Sequence, residues 1–238
     1  MPRLVLFDLD GTLIDGSGLP EAMRATCAVL AQDLPGVRPE DLAAANTAAW
    51  QRLWPELEED YMLGGRRGDD VGREVWRAAL AASGVHDAEQ VERAEREWAR
   101  QERASLRLFP DVPPALAALE HDGVRLGMVT NGAAVVQRRK LAAVGLADRF
   151  DPFVVSSDAG VMKPDPAIFE IALAAAGVPA AEAWFVGDNL WHDMPGALEV
   201  GIRGVWLSRD GRGLPEAGPR PDAVLASLAD LRGSAEIR

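Results

Sequence analysis

At 238 residues, 48% hydrophobic and 26% charged, the chain has the composition of a globular protein able to bury one or two cores, and neither disorder nor a fibrous repeat fits it. The formal charge of −12, from 37 acidic against 25 basic residues, comes with no concentration of lysine or arginine. This excludes a nucleic-acid groove and requires any site that handles an anion to create positive potential locally. The single cysteine, Cys27, rules out an intramolecular disulfide and a cysteine metal cluster, and reads as a small buried apolar residue. Apolar runs are too short to cross a bilayer, and the first residues lead straight into a strand, so the expectation is a cytoplasmic protein with no membrane partner.

The chain opens with Leu4-Val5-Leu6-Phe7, followed by two carboxylates separated by one residue, Asp8 and Asp10, and the turn Gly11-Thr12. A continuous apolar run closed by glycine predicts a strand buried on both faces of a parallel sheet. Both acids then stand at its carboxyl end, where the ligand crevices of open α/β sheets lie. After the turn Asp15-Gly16-Ser17-Gly18, apolar residues recur at helical spacing over about 20–33, 40–54, 69–83 and 87–106. Helices without any strand pattern predict an inserted helical domain, 17–106, interrupting an α/β domain made of 1–16 and 107–238. From there the pattern alternates: helix 111–122, strand 125–130, helix 133–144, strand 153–156, helix 165–176, strand 183–187, helix 193–200 and strand 203–207. With the first strand this predicts a Rossmann-like, doubly wound parallel sheet of five strands with helices on both faces. A surface loop over 210–221 and a last short helix follow.

Polar groups gather at the ends of these strands. Strand 125–130 ends in Thr130-Asn131-Gly132, where a hydroxyl, a side-chain amide and helix-opening N–H groups suit an anion. Ahead of helix 165–176 stands Lys163-Pro164-Asp165-Pro166, with Asp165 as N-cap, Pro166 at the first helical position and Lys163 beside the sheet edge. Strand 183–187 ends in Gly187-Asp188, and Asp193 follows five positions on, so that one acid can face the crevice while the other supports it. Singly each has a plainer reading. Asp-x-Asp-Gly is a turn or calcium-loop fragment, Thr130-Asn131-Gly132 a helix cap, Lys163 a solvated lysine and Asp193 a first-turn acid. Four in order at successive strand ends outweigh those readings.

Together, Asp8-x-Asp10-Gly11-Thr12, Thr130-Asn131, Lys163-Pro164 and Gly187-Asp188-x₄-Asp193 resemble the four ordered motifs of the haloacid-dehalogenase-like hydrolase superfamily over nearly the whole chain. The helical insert resembles that superfamily's type 1 cap, which closes over the site. The resemblance implies a phosphatase in which Asp8 attacks phosphorus to give an aspartyl phosphate, while Asp10 protonates the leaving oxygen and then takes a proton from the attacking water. It also implies Mg²⁺ held by Asp8, Asp188 and the backbone carbonyl of Asp10. Lys163, Thr130 and Asn131 would hold the remaining phosphoryl oxygens, and Asp193 would orient Lys163 or a metal-bound water. The implied partner is a small phosphorylated metabolite, with the chain working as a monomer or a homodimer.

Rivals within the superfamily are a 2-haloacid dehalogenase, whose pattern lacks the second aspartate that Asp10 supplies, and a phosphosugar mutase, which needs a longer-lived aspartyl phosphate. The intact acids oppose a non-catalytic binding module. In the insert, Gly64-Gly65-Arg66-Arg67-Gly68 reads as a solvated charged loop in preference to one whose arginines contact an anionic leaving group. Trp50, Trp54, Trp76 and Trp98 read as helical-domain core, Trp191 as a packing or cap-contact residue and His192 as a solvent-facing turn residue.

Overall fold

The computed structural model describes residues 2–233. Among them the elements run in chain order as β1 (Leu4–Phe7), β2 (Ile14–Asp15), α1 (Leu19–Ala31), α2 (Pro39–Met62), α3 (Gly68–Ala82), α4 (Ala88–Ser105), β3 (Arg107–Leu108), α5 (Val112–His121), β4 (Arg125–Thr130), α6 (Ala134–Ala143), β5 (Phe153–Val155), α7 (Ser156–Ala159), α8 (Pro166–Ala176), β6 (Ala183–Gly187), α9 (Leu190–Glu199), β7 (Arg203–Leu207) and β8 (Ala223–Leu225). Two compact units emerge, Met1–Asp15 with Arg107–Arg238, and Gly16–Leu106. Among the described residues no helix is long and apolar enough to cross a membrane.

The first unit is built on a six-stranded sheet in the order β5-β4-β1-β6-β7-β8, with every pairing parallel. β1 lies inside it with all its residues buried, because Leu-Val-Leu-Phe offers an apolar side chain to each face. Phe7 is in register with Met128 on β4 and with Val186 on β6, so Asp8 leaves the sheet between the ends of those two strands. The chain steps outward from β1 through β4 to β5, then returns to β6 on the other side of β1. Such a reversal opens a crevice at the carboxyl ends of the two strands that flank it.

Ile168 and Phe169 of α8 and Met194 and Ala197 of α9 pack against Leu4, Leu6 and Phe185, with Phe169 edge-on to Phe185 at 4.9 Å. Fully burying each large apolar side chain stabilises the fold by about 1.5–3 kcal/mol. α8 starts as its sequence predicts: the Asp165 carboxylate accepts from the Ala167 N–H at 2.9 Å, and Pro166 opens the first turn. These contacts fix the loop carrying Lys163 to a rigid helix.

Several expectations are corrected. α9 begins at Leu190 instead of 193, because the Asn189 side chain caps it by accepting from the N–H groups of Trp191 and His192, both at 3.1 Å. His192 and Asp193 therefore belong to its first turn. α2 continues through Pro55 to Met62, well beyond the expected end at 54, so the proline costs one hydrogen bond without ending the helix. The expected last short helix is replaced by β8, which pairs with β7 with Val224 opposite Trp206, and then a single 3₁₀ turn over Leu228–Asp230. Unpaired N–H and C=O groups on the edge of β7 favour this sixth strand, a tertiary influence that local spacing does not encode.

In the second unit, α1 to α4 surround Cys27, Leu30, Leu42, Val75, Trp76, Leu80 and Val91. Trp76 is core and Trp98 packs against it, whereas Trp50 and Trp54 stack on one another at 4.7 Å outside that cluster, with Trp50 exposed. These two do not fill the core as expected. Arg66 pairs with Glu74 at 2.7 Å and with Asp60 at 3.4 Å, both on its own unit, in keeping with a charged loop.

Candidate active site

Asp8 follows β1 and Asp188 follows β6 on the neighbouring strand. The loop ahead of α8 and the first turn of α9 bring Lys163 and Asp193 to the same end of the sheet. The Lys163 ammonium donates to Asp8 Oδ1 at 2.6 Å and to Asp193 Oδ1 at 2.7 Å, and all three side chains are buried. Asp193 Oδ2 accepts from the Asn189 backbone N–H at 2.9 Å, and Asp188 Oδ1 accepts from the Thr12 hydroxyl at 3.1 Å. Two glycines make this approach feasible. A Cβ on Gly187 would stand 2.2 Å from Asp193 Oδ2, and one on Gly11, whose φ is +80°, would stand 2.3 Å from Asp188 Oδ2.

Asp8, Asp188 and Asp193 each bring a carboxylate oxygen within 4.8 Å of the others, against the single ammonium of Lys163. Burial, joined by repulsion from Asp193 and Asp188 and opposed by Lys163, pushes Asp8 up to about 7. Burial and the charge of Asp193 push Asp188 up to about 6. Burial works against the Lys163 charge, but Asp193 and Asp8 overcome it and hold the lysine above its usual range. An all-oxygen cluster with surplus negative charge fits a hard divalent cation such as Mg²⁺.

The remaining expected residues are distributed around this cluster. Asn131 donates from Nδ2 to the Lys163 carbonyl and accepts at Oδ1 from the Lys163 N–H, each at 2.9 Å. Its side chain is thus first a clamp on the lysine's backbone, and the contact uses only one of the two Nδ2 N–H groups. Thr130 Oγ1 is buried and accepts from Gln137 Nε2 at 2.8 Å, which leaves the hydroxyl's own proton for another acceptor. The Asp10 side chain stands apart from the three clustered acids. Its carboxylate, 48% exposed, accepts from Lys140 Nζ at 2.8 and 2.9 Å and from Gln137 Nε2 at 3.1 Å. Trp191, expected as a packing or cap-contact residue, is 56% exposed at the start of α9, with its ring close enough to Gly218 that a Cβ there would stand 2.7 Å from it.

Sequence reasoning passes over several residues that shape this region. Arg209 donates to the Thr12 carbonyl at 2.7 Å and to Asp111 at 3.0 Å, which ties down the turn that presents Thr12 to Asp188. The Ser156 and Ser157 hydroxyls accept from the N–H groups of Gly132 and Ala134 at 2.9 and 2.8 Å and hold the turn after β4. Gln137 and Lys140 belong with them. The signal for Gln137 was present, since on the buried face of α6, formed by Ala134, Gln137 and Leu141, it alone is polar.

Residues 2–201 match the haloacid dehalogenase-like hydrolase family. The phosphoserine phosphatase of Thermus thermophilus is 40% identical over 146 residues, 61% of this chain, and the match spans 58% of that relative's own length. The glyceraldehyde 3-phosphate phosphatase of Pyrococcus abyssi is 31% identical over 216 residues, covering 87% of this chain and 82% of the relative. Among solved structures, a 2-haloacid dehalogenase from Pseudomonas syringae pv. Tomato DC3000 superposes with a TM-score of 0.71 at 32% identity, over 99% of this chain and 98% of that one. With a family match running from β1 past α9, and with relatives of both phosphatase and dehalogenase type, the chain belongs to the haloacid dehalogenase-like hydrolases.

Proposed function

We propose that the chain is a Mg²⁺-dependent phosphatase of a small phosphorylated metabolite, with Asp8 as the nucleophile and Asp10 as general acid and base. The observation that carries this reading is the difference between two carboxylates separated by one residue. Asp8 is buried against Lys163 at 2.6 Å, and Asp10 is half exposed and held by Lys140 at 2.8 Å. A dehalogenase needs only the first acid, because a departing halide takes no proton. The second acid has a use where a leaving alkoxide must be protonated.

Lys163 engages Oδ1 of Asp8, which leaves Oδ2 for attack on phosphorus. Formation of the Oδ2–P bond breaks the bond to the leaving oxygen, and the Asp10 carboxyl gives that oxygen its proton. Water then attacks the same phosphorus and loses a proton to Asp10. The Oδ2–P bond breaks, so that Asp8 returns as a carboxylate, Asp10 as a carboxyl, and phosphate departs. Lys163, the Thr130 hydroxyl and the remaining Asn131 N–H bind phosphoryl oxygens throughout, and Asp193 keeps Lys163 in place. Asp8, Asp188 and the Asp10 carbonyl would hold the Mg²⁺ ion, which when bound neutralises phosphoryl charge. In this reading 17–106 is the cap and 1–16 with 107–238 the catalytic core.

A panel of sugar phosphates, nucleoside monophosphates and other phosphoesters, assayed for released phosphate with Mg²⁺ and again with excess EDTA, tests the proposal. Turnover of at least one small phosphoester that is lost in EDTA supports it. Halide release from a 2-chloroalkanoate, with no phosphate released from any ester, would replace it with the dehalogenase reading.

A further inference from the structure

We infer that Gln137 and Lys140 of α6 are positioning residues for Asp10, tying its carboxylate to the phosphate-binding end of β4 and so governing proton transfer to the leaving group. The inference rests on the phosphatase reading and assigns work to a helix face that the four motifs leave out. Asp10 lies on a turn with its side chain 48% exposed, and a carboxylate so situated samples several rotamers unless something holds it. Lys140 Nζ reaches both of its oxygens, at 2.9 and 2.8 Å. Gln137 Nε2 reaches Oδ2 at 3.1 Å from one helical turn earlier, on the same face of α6.

The buried Gln137 amide does more than add a contact. Its Nε2 also lies 2.8 Å from Thr130 Oγ1 and 3.1 Å from the Asn131 carbonyl, so its two N–H groups are shared among three acceptors. The backbone carbonyl and the Asp10 carboxylate are acceptors only, so the amide nitrogen, not its oxygen, must face all three groups. One side chain therefore links the proposed proton carrier to two of the three residues proposed to meet the phosphoryl group, Thr130 and Asn131, and by donating to Thr130 Oγ1 it leaves that hydroxyl's proton for another acceptor. A half-exposed ion pair contributes little to stability, so the arrangement is poorly explained as a brace for the fold. Misplacing a reacting group by about 1 Å costs up to roughly 100-fold in rate, so its value lies in kcat.

The test compares wild type, Lys140→Met, Lys140→Arg and Gln137→Leu, with Mg²⁺ present, on the alkyl phosphate that wild type turns over fastest and on 4-nitrophenyl phosphate. Thermal unfolding establishes that each variant is folded. Lys140→Met should lose about tenfold or more in kcat on the alkyl ester, with KM within about twofold, and no more than about threefold on the aryl ester, whose leaving group needs little protonation. Gln137→Leu should fall on both esters, since Thr130 also loses its donor, but more on the alkyl than on the aryl one, and Lys140→Arg should recover most of the alkyl rate. Equal losses on both esters, a change confined to KM, or a wild-type alkyl rate in Lys140→Met overturns the inference while leaving the phosphatase reading intact. Should Lys140→Met fail to melt cooperatively, the ratio of the two kcat values in Lys140→Gln decides in its place. Wild-type protein that hydrolyses neither ester, nor any other in the panel, overturns both.

Discussion

Asp8→Asn, studied in EDTA, probes the cost of gathering three buried acids around one lysine. Asp8 titrates at about 7 in the folded chain against 3.8 as a free side chain. A carboxyl whose folded value is raised contributes stability that is fully present below the unfolded value and is lost as pH rises through the folded one, because ionisation is easier in the unfolded chain. At about 1.36 kcal/mol per pH unit between those values, wild type should lose roughly 2–3 kcal/mol through this group between pH 5 and pH 8. Asparagine has nothing to ionise, and Asp188, raised to about 6, titrates in both proteins. The stability difference should therefore move in favour of Asp8→Asn by roughly 2–3 kcal/mol across that interval, and saturating Mg²⁺ should flatten the wild-type dependence by favouring the carboxylate. Urea unfolding at both pH values, followed by circular dichroism and tryptophan fluorescence, measures it. Parallel pH dependences for the two proteins would refute the reasoning, since Asp8 would then be no harder to ionise in the folded chain.

Three further outcomes are expected. Asp10→Asn should lose about 100-fold or more on alkyl phosphates and much less on aryl phosphates in the first chemical step, measured by burst and steady-state kinetics; equal losses would reduce Asp10 to a turn residue. Gly11→Ala combines a φ of +80° with a Cβ 2.3 Å from Asp188 Oδ2. It should cost about 1–3 kcal/mol of stability and raise the Mg²⁺ concentration needed for half-maximal activity, whereas an unchanged metal requirement would remove Asp188 from the cation site. Phe169→Ala should cost about 3–5 kcal/mol in urea unfolding, because it empties a fully buried position beside Phe185, and a loss below about 1 kcal/mol would contradict the packing described.

Much of this organisation is legible in the chain because it is local. Leu4 to Phe7 and the turn at Gly11 encode a buried strand and the crevice beyond it, and Asp165 with Pro166 encodes the start of α8. Asp8 and Asp188 stand at the ends of strands that a parallel sheet sets side by side, and the loop ahead of α8 and the first turn of α9 bring Lys163 and Asp193 to the same place. What escapes depends on partners far along the chain. β8 forms because β7 has an open edge, and its three residues are too short a run to read as a strand. Lys140 and Gln137 lie 130 and 127 positions from the acid they hold, so the helical pattern of α6 reveals a face without revealing what it meets. The start of α9 at Leu190 is set by the Asn189 side chain accepting from the Trp191 and His192 N–H groups, a cap that the apolar spacing from 193 onward does not register.

The measurement that bears most directly on Asp8 as the nucleophile is rapid acid quenching of wild-type protein during turnover of a phosphomonoester with Mg²⁺, followed by peptide mapping of the quenched chain. A phosphoryl group should appear on Asp8, rise and decay on the timescale of turnover, and be absent from Asp8→Asn. Turnover with no phosphorylated protein at any quench time, or with the phosphoryl group on another residue, would contradict the mechanism.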